Sequence, residues 1–214
     1  MIKYILFDLD GTLTNPKEGI TKCVQYALKS FGIERDCDEL ISFIGPPLKE
    51  KFMEYASLSE EDGAKAVAVY RERFAPIGIF ENEIYEGVLP MLEELKNQGK
   101  VLALATSKPG IYAEQIVEKY GIKPYLTCLV GSELDGRNTD KAKVIEIVME
   151  KLGATKENTI MVGDREHDVI GARKNGVECI GVSYGYGGDG ELRTSGALKI
   201  ADTPHELLKI LSAM

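Results

Sequence analysis

Apolar positions along the chain fall into two regimes. Residues 2–7 form a short run rich in strand formers that stops at Asp8, the pattern of a buried strand entering a loop. From Pro16 the spacing turns helical. Ile20, Val24, Ala27, Leu28 and Phe31 recur at helical steps, and Gly32 ends the run. Residues 40–44 lead into the rigid turn Gly45-Pro46-Pro47, and helices are expected over 48–55 and 60–74. Nothing between residues 16 and 80 has the pattern of a strand core. After Gly87 the two periods alternate. Helices are expected over 89–98, 111–120, 141–152, 168–174 and 204–211, and strands over 101–105, 128–130, 159–162 and 177–182.

Strands alternating with helices imply crossover connections and a parallel sheet. The expected fold is α/β. Residues 1–15 and 81–214 would form a Rossmann-like core, and residues 16–80 an inserted helical domain. In such a sheet, ligands sit beyond the carboxyl ends of the strands. The residues just after each strand are therefore where chemistry is expected.

Composition narrows the functional classes. The chain has 214 residues, and a formal charge of -8 arises from 34 acidic and 26 basic residues. With no basic block to offset that charge, nucleic acid and anionic membrane surfaces are excluded as partners. The longest apolar runs fall far short of the ~20 residues of a spanning helix. The amino-terminal run stops too early for a signal peptide, so a cytoplasmic protein is expected. The four cysteines form no Cys-x-x-Cys pair and only two histidines accompany them, which argues against a zinc framework or a disulfide scaffold.

Asp8 and Asp10 follow the first strand two residues apart, a spacing that turns both carboxylates to one side of an extended chain. Gly11 allows a sharp turn beneath a ligand. Thr106 and Ser107 follow the second core strand, Lys141 opens a long helix, and Asp164 follows the 159–162 strand with Asp168 four residues on. Any one of these has an ordinary explanation, since aspartates cap helices and lysines are solvated. The ordered set at successive strand ends weighs against that. Four carboxylates in one pocket would repel one another. A divalent cation resolves the repulsion, and hard oxygen ligands without His or Cys point to Mg2+. With Lys141 and Thr106 as donors, the site suits a group with several anionic oxygens, and phosphate fits best.

The sequence Asp8-Leu9-Asp10-Gly11-Thr12, the pair Thr106-Ser107, Lys141, and Gly163-Asp164 through Asp168 resemble the four ordered motifs of the haloacid dehalogenase superfamily. The resemblance spans nearly the whole chain, and residues 16–80 fall where that family carries an α-helical cap. Gly163-Asp164-Arg165-Glu166-His167-Asp168 and Tyr184-Gly185-Tyr186-Gly187 look most like its phosphoglycolate phosphatase branch. The resemblance implies Asp8 as nucleophile, giving an aspartyl-phosphate, and Asp10 as general acid and base. It implies that Thr106, Ser107 and Lys141 hold the transferring oxygens. Asp8, the Asp10 backbone carbonyl and Asp164 would ligate magnesium, with Asp168 binding directly or through water. Asp10 favours phosphate over halide, because dehalogenases of the family lack the second acid. Asn15 departs from relatives that carry an acid there.

The implied enzyme is a magnesium-dependent phosphatase of a small phosphorylated metabolite, acting as a monomer or homodimer. A 5'-nucleotidase, a pyrophosphatase, a phosphonate hydrolase and a phosphosugar mutase share such a core. The absence of a histidine from residues 16–80 weighs against the mutase, while several lysines there leave the phosphonate hydrolase open. A receiver-like signalling module is the alternative from another class, opposed by the helical insert. Gly185, Gly187 and Gly190 fit a dinucleotide pattern, but too little chain follows for that unit. The segment reads instead as a flexible loop near the phosphate site. Pro46 and Pro47 read equally as stiffeners of a loop or as its substrate-facing part.

Overall fold

The computed structural model describes residues 1–214. The chain forms two compact units, one from Met1–Asn15 and Ile84–Met214, the other from Pro16–Glu83.

The larger unit is built on a six-stranded parallel sheet. Its strands are β1 (Tyr4–Phe7), β4 (Val101–Pro109), β5 (Leu126–Ser132), β6 (Thr159–Gly163), β7 (Glu178–Val182) and β8 (Lys199–Ala201), in the order β5-β4-β1-β6-β7-β8. Two short strands, β2 (Thr14–Asn15) and β3 (Glu83–Ile84), pair separately at the points where the chain passes between the units. Ile5, Leu6 and Phe7 of β1 are fully buried, as an interior strand covered on both faces requires. Phe7 lies level with Leu104 of β4 and with Val162 of β6. The residues that follow Phe7, Leu104 and Val162 therefore stand side by side. That register places the site.

Helices α4 (Val88–Asn97), α5 (Gly110–Lys119), α6 (Lys141–Leu152), α7 (Glu166–Lys174) and α9 (Pro204–Ser212) supply the crossovers and the closing element. Val144, Ile145 and Val148 of α6 and Val169 and Ala172 of α7 join the core under Leu6, Ala103 and Met161. Gly171 lets these two helices approach closely. A Cβ there would come 2.9 Å from Lys141 Cγ and 3.0 Å from the Ala142 nitrogen.

Neither α8 (Gly188–Ser195) nor the three-residue strand β8 is disclosed by the sequence pattern, and the two-residue strands β2 and β3 are not either. Helix α8 opens on Gly-Asp-Gly and buries only Leu192, so it carries no apolar periodicity. The segment expected to be a flexible loop is instead divided. Its first half packs tightly on Asp164, and its second half starts α8.

The smaller unit consists of α1 (Lys17–Lys29), α2 (Leu48–Ala56) and α3 (Glu60–Phe74), with short 3-10 turns at Cys37–Phe43 and Gly78–Phe80. Its interior holds Phe43 against Phe52 and Tyr55, with ring centroids 5.0 and 5.2 Å apart, and Tyr70 stacked on Phe74 at 5.2 Å. Ser59 caps α3 by accepting from the Asp62 N–H. Arg73 clamps Glu81 with two bonds of 2.7 and 3.0 Å.

Candidate active site

The ladder continues one residue past β1, where the Asp8 N–H donates to the Val162 carbonyl at 2.9 Å. The chain then turns at Gly11, whose φ is +86°. This turn leaves Asp8 and Asp10 at the carboxyl end of the central strand.

Lys141, the first residue of α6, reaches down to Asp8. Its Nζ donates to Asp8 Oδ1 at 2.6 Å and to the Ala105 carbonyl at 3.1 Å, and it lies 2.9 Å from Asp168 Oδ1. The lysine side chain is only 5 % exposed, so its charge is matched by buried carboxylates rather than water. Burial pulls its ammonium down, but Asp168 and Asp8 outweigh burial and leave it above the ordinary lysine range.

Asp164 is enclosed by backbone. The Tyr186 N–H donates to its Oδ2 at 2.8 Å, and the Thr12 hydroxyl lies 3.5 Å from Oδ1. A Cβ on Gly11 would sit 2.1 Å from Asp164 Oδ2, one on Gly185 would sit 2.3 Å from its Cβ, and one on Gly187 would sit 2.1 Å from its carbonyl oxygen. Only chain without side chains fits this cradle. Asp168 accepts from the Arg165 N–H at 3.1 Å and so closes the first turn of α7. Gly163 yields to it as well, since a Cβ there would fall 2.1 Å from Asp168 Cγ.

Oxygen atoms of Asp8, Asp164 and Asp168 lie within 4.8 Å of one another, and all three residues are buried. Burial, then the neighbouring charges of Asp168 and Asp8, push the Asp164 carboxyl well above the usual carboxylate range. Burial also raises Asp168, against the pull of Lys141. One ammonium among three converging carboxylates leaves unmatched negative charge among buried residues. The donor chemistry fits a hard divalent cation held by Asp8, Asp164 and Asp168.

Asp10 lies beside this group. Its Oδ2 accepts from Lys108 Nζ at 2.6 Å, while its Oδ1 is buried with no hydrogen-bond partner. Burial raises the carboxyl, with Lys108 opposing. Lys108 is absent from the residues expected from the sequence. Its signal was its spacing, two residues beyond Thr106 on one strand, but β4 outlasts the apolar run that marks it. Thr106 is buried and its Oγ1 accepts from the Lys108 N–H at 3.2 Å. Ser107 lies outside this set of contacts, with its carbonyl accepting from Ser132 Oγ at 2.8 Å. Tyr184 and Tyr186, singled out in the sequence only as part of a motif, make contacts that the motif does not specify. Tyr184 donates to the Thr12 carbonyl at 3.0 Å, and Tyr186 donates to Asn15 Oδ1. Asn15, the departure noted in the sequence, thus ties down the segment that holds Asp164.

Comparison with known proteins agrees with this geometry. The family model for haloacid dehalogenase-like hydrolases matches residues 5–182. A 5'-nucleotidase of Pseudomonas aeruginosa is 47% identical over 190 residues, covering 88% of this chain and 86% of that protein. A phosphoglycolate phosphatase of Vibrio parahaemolyticus is 28% identical over 99% of this chain and 96% of its own length. The crystal structure of a predicted phosphatase from Clostridium acetobutylicum superposes with a TM-score of 0.97 at 45% identity, covering 100% of both chains. With most of its length matched, and with carboxylates gathered where three parallel strands end, the chain belongs to the haloacid dehalogenase-like hydrolases and is a phosphatase, a hydrolase of phosphoric monoester bonds.

Proposed function

We propose that the protein is a cytoplasmic, magnesium-dependent phosphatase of a small phosphorylated metabolite, working as a monomer or homodimer through an aspartyl-phosphate on Asp8. The observation that carries this reading is the position of Asp8. It shares Lys141 with Asp168, lies within 4.8 Å of Asp164 and Asp168, and stands two residues from a second acid whose side chain is only 13 % exposed.

In the proposed mechanism, an Asp8 carboxylate oxygen attacks phosphorus and the bond to the leaving oxygen breaks. Asp10 gives that oxygen its proton, releasing an alcohol. Water then attacks the aspartyl-phosphate, passes a proton to Asp10, and the bond to Asp8 breaks to release phosphate. Lys141 keeps the Asp8 carboxylate oriented and supplies positive charge as the equatorial oxygens gain electron density. The Thr106 hydroxyl, and Ser107 in a lesser part, would donate to the same oxygens. Magnesium held by Asp8, Asp164 and Asp168, together with the Asp10 carbonyl, would offset the charge of the carboxylates and of the phosphoryl group.

A phosphoglycolate-like substrate is one reading, favoured by the 28% identity to a phosphoglycolate phosphatase over 99% of this chain. A nucleoside monophosphate is the second reading, favoured by the 47% identity to a 5'-nucleotidase. The deciding experiment is phosphate release from 2-phosphoglycolate, nucleoside monophosphates, sugar phosphates and pyrophosphate, with and without magnesium. Release should require magnesium and vanish in Asp8→Asn. Release that survives in Asp8→Asn overturns the reading.

A further inference from the structure

We infer that Lys108 is a positioning residue for the acid and base of this phosphatase: it fixes one oxygen of Asp10 so that the other meets the leaving group. The inference rests on the proposed roles of Asp8 and Asp10 and extends them to a residue that no motif of the sequence marks.

The geometry distinguishes the two oxygens of Asp10. Oδ2 is held by the Lys108 ammonium at 2.6 Å, and the lysine side chain is only 6 % exposed. Oδ1 is buried without a hydrogen-bond partner. A carboxyl group free to spin would present either oxygen, and half of its encounters with the leaving oxygen would use the one that points elsewhere. A short charge-assisted bond removes that freedom. In the first step the proton on Oδ1 passes to the leaving oxygen as the phosphorus–oxygen bond breaks. In the second step Oδ1 takes a proton from the attacking water as the bond to Asp8 breaks. Oδ2 stays on Lys108 throughout, and the carboxylate formed between the steps is matched by the ammonium.

The backbone fixes Lys108 in turn. Its N–H donates to Thr106 Oγ1 at 3.2 Å, and β4 continues beside β5 as far as the pairing of Pro109 with Ser132. Gly131 on β5 makes room for it. A Cβ there would come 2.5 Å from the Lys108 carbonyl oxygen. Strand β4 thus runs on past Lys108, its register on β5 shifting between Ala105 and Pro109.

The test uses leaving groups of different basicity. A nitrophenyl phosphate departs with little need of a proton, whereas an alkyl phosphate depends on the acid, a contribution of roughly 10²–10⁴ in rate. Lys108→Met should lower kcat for both, with a loss about tenfold or more greater for the alkyl ester. Lys108→Arg should recover part of that difference. In an Asp10→Asn background, Lys108→Met should add little further loss, because the two act as a unit. Lys108→Gln is read in the same way if the methionine variant does not fold. Equal losses for both esters, or losses that add fully to those of Asp10→Asn, overturn the inference. The outcome is separable from failure of the underlying reading, which shows as phosphate release in Asp8→Asn on every ester.

Discussion

At the scale of single residues, the site is governed by what the backbone leaves no room for. Gly185 has an ordinary φ, so its requirement is purely spatial: a methyl group would meet the Asp164 Cβ at 2.3 Å and the Gly11 carbonyl at 2.4 Å. Gly185→Ala should therefore destabilise the protein by about 1–3 kcal/mol, the ordinary cost of overpacking, and weaken magnesium binding with it. Thermal melts and a calorimetric magnesium titration check the two effects together. A variant with wild-type values for both would contradict the cradle. The positions of Asp8 and Asp164 are legible in the sequence because each immediately follows a buried apolar run, and the run itself says which end of the strand is meant. Lys108 is not legible, since the apolar run ends at Ala105 while pairing with β5 carries the strand on to Pro109. Hydrogen bonds to a neighbour set that end point, and periodicity carries no trace of it. The convergence of glycines on Asp164 is hidden for a similar reason, because Gly11 and Gly185 meet only after folding.

At the scale of elements, the helices of the smaller unit rest on apolar stripes and on one clamp between a helix and the segment after it. Arg73, hydrogen-bonded to Glu81 through both nitrogens, holds that carboxyl below its ordinary value, and Lys22 adds to the effect. A carboxyl lowered by folding stabilises the native state above its unfolded value near 4.5. That contribution fades as pH falls from there through the lowered native value. Glu81→Gln should cost about 1 kcal/mol at neutral pH, less at high salt, and should flatten this part of the acid dependence. Urea melts at neutral and acid pH check it, and an unchanged acid profile would refute the assignment. The long helices are legible because their stripes are regular, as with Val144, Ile145 and Val148 in α6. Helix α8 and strand β8 are not. One is rich in glycine and buries Leu192 alone, and the other is three residues long, so both owe their form to packing on β7 and α7 rather than to local preference.

At the scale of the whole molecule, the parallel sheet and the division of the chain into an α/β unit and a helical unit follow from where the apolar period changes. No helix is long and apolar enough to cross a membrane. Three carboxylates converging in the α/β unit make its stability depend on the proposed cation. Magnesium at about a hundred times its dissociation constant should stabilise the native state by about 2.7 kcal/mol, and raise Tm by roughly 5–10 °C for a protein of this size. Chelation should reverse the shift, and Asp164→Asn should lose most of it. A melt indifferent to magnesium would remove the cation from the account. The sheet order β5-β4-β1-β6-β7-β8 has a further consequence. Asp8 and Asp164 follow the inner strands β1 and β6, whose amides are shielded on either flank, while β5 and the short strand β8 form the edges of the sheet. Deuterium should reach Ile5 through Phe7 last of all, so the frame that aligns the chemistry should outlast local breathing at the rim and come apart only when the entire unit does.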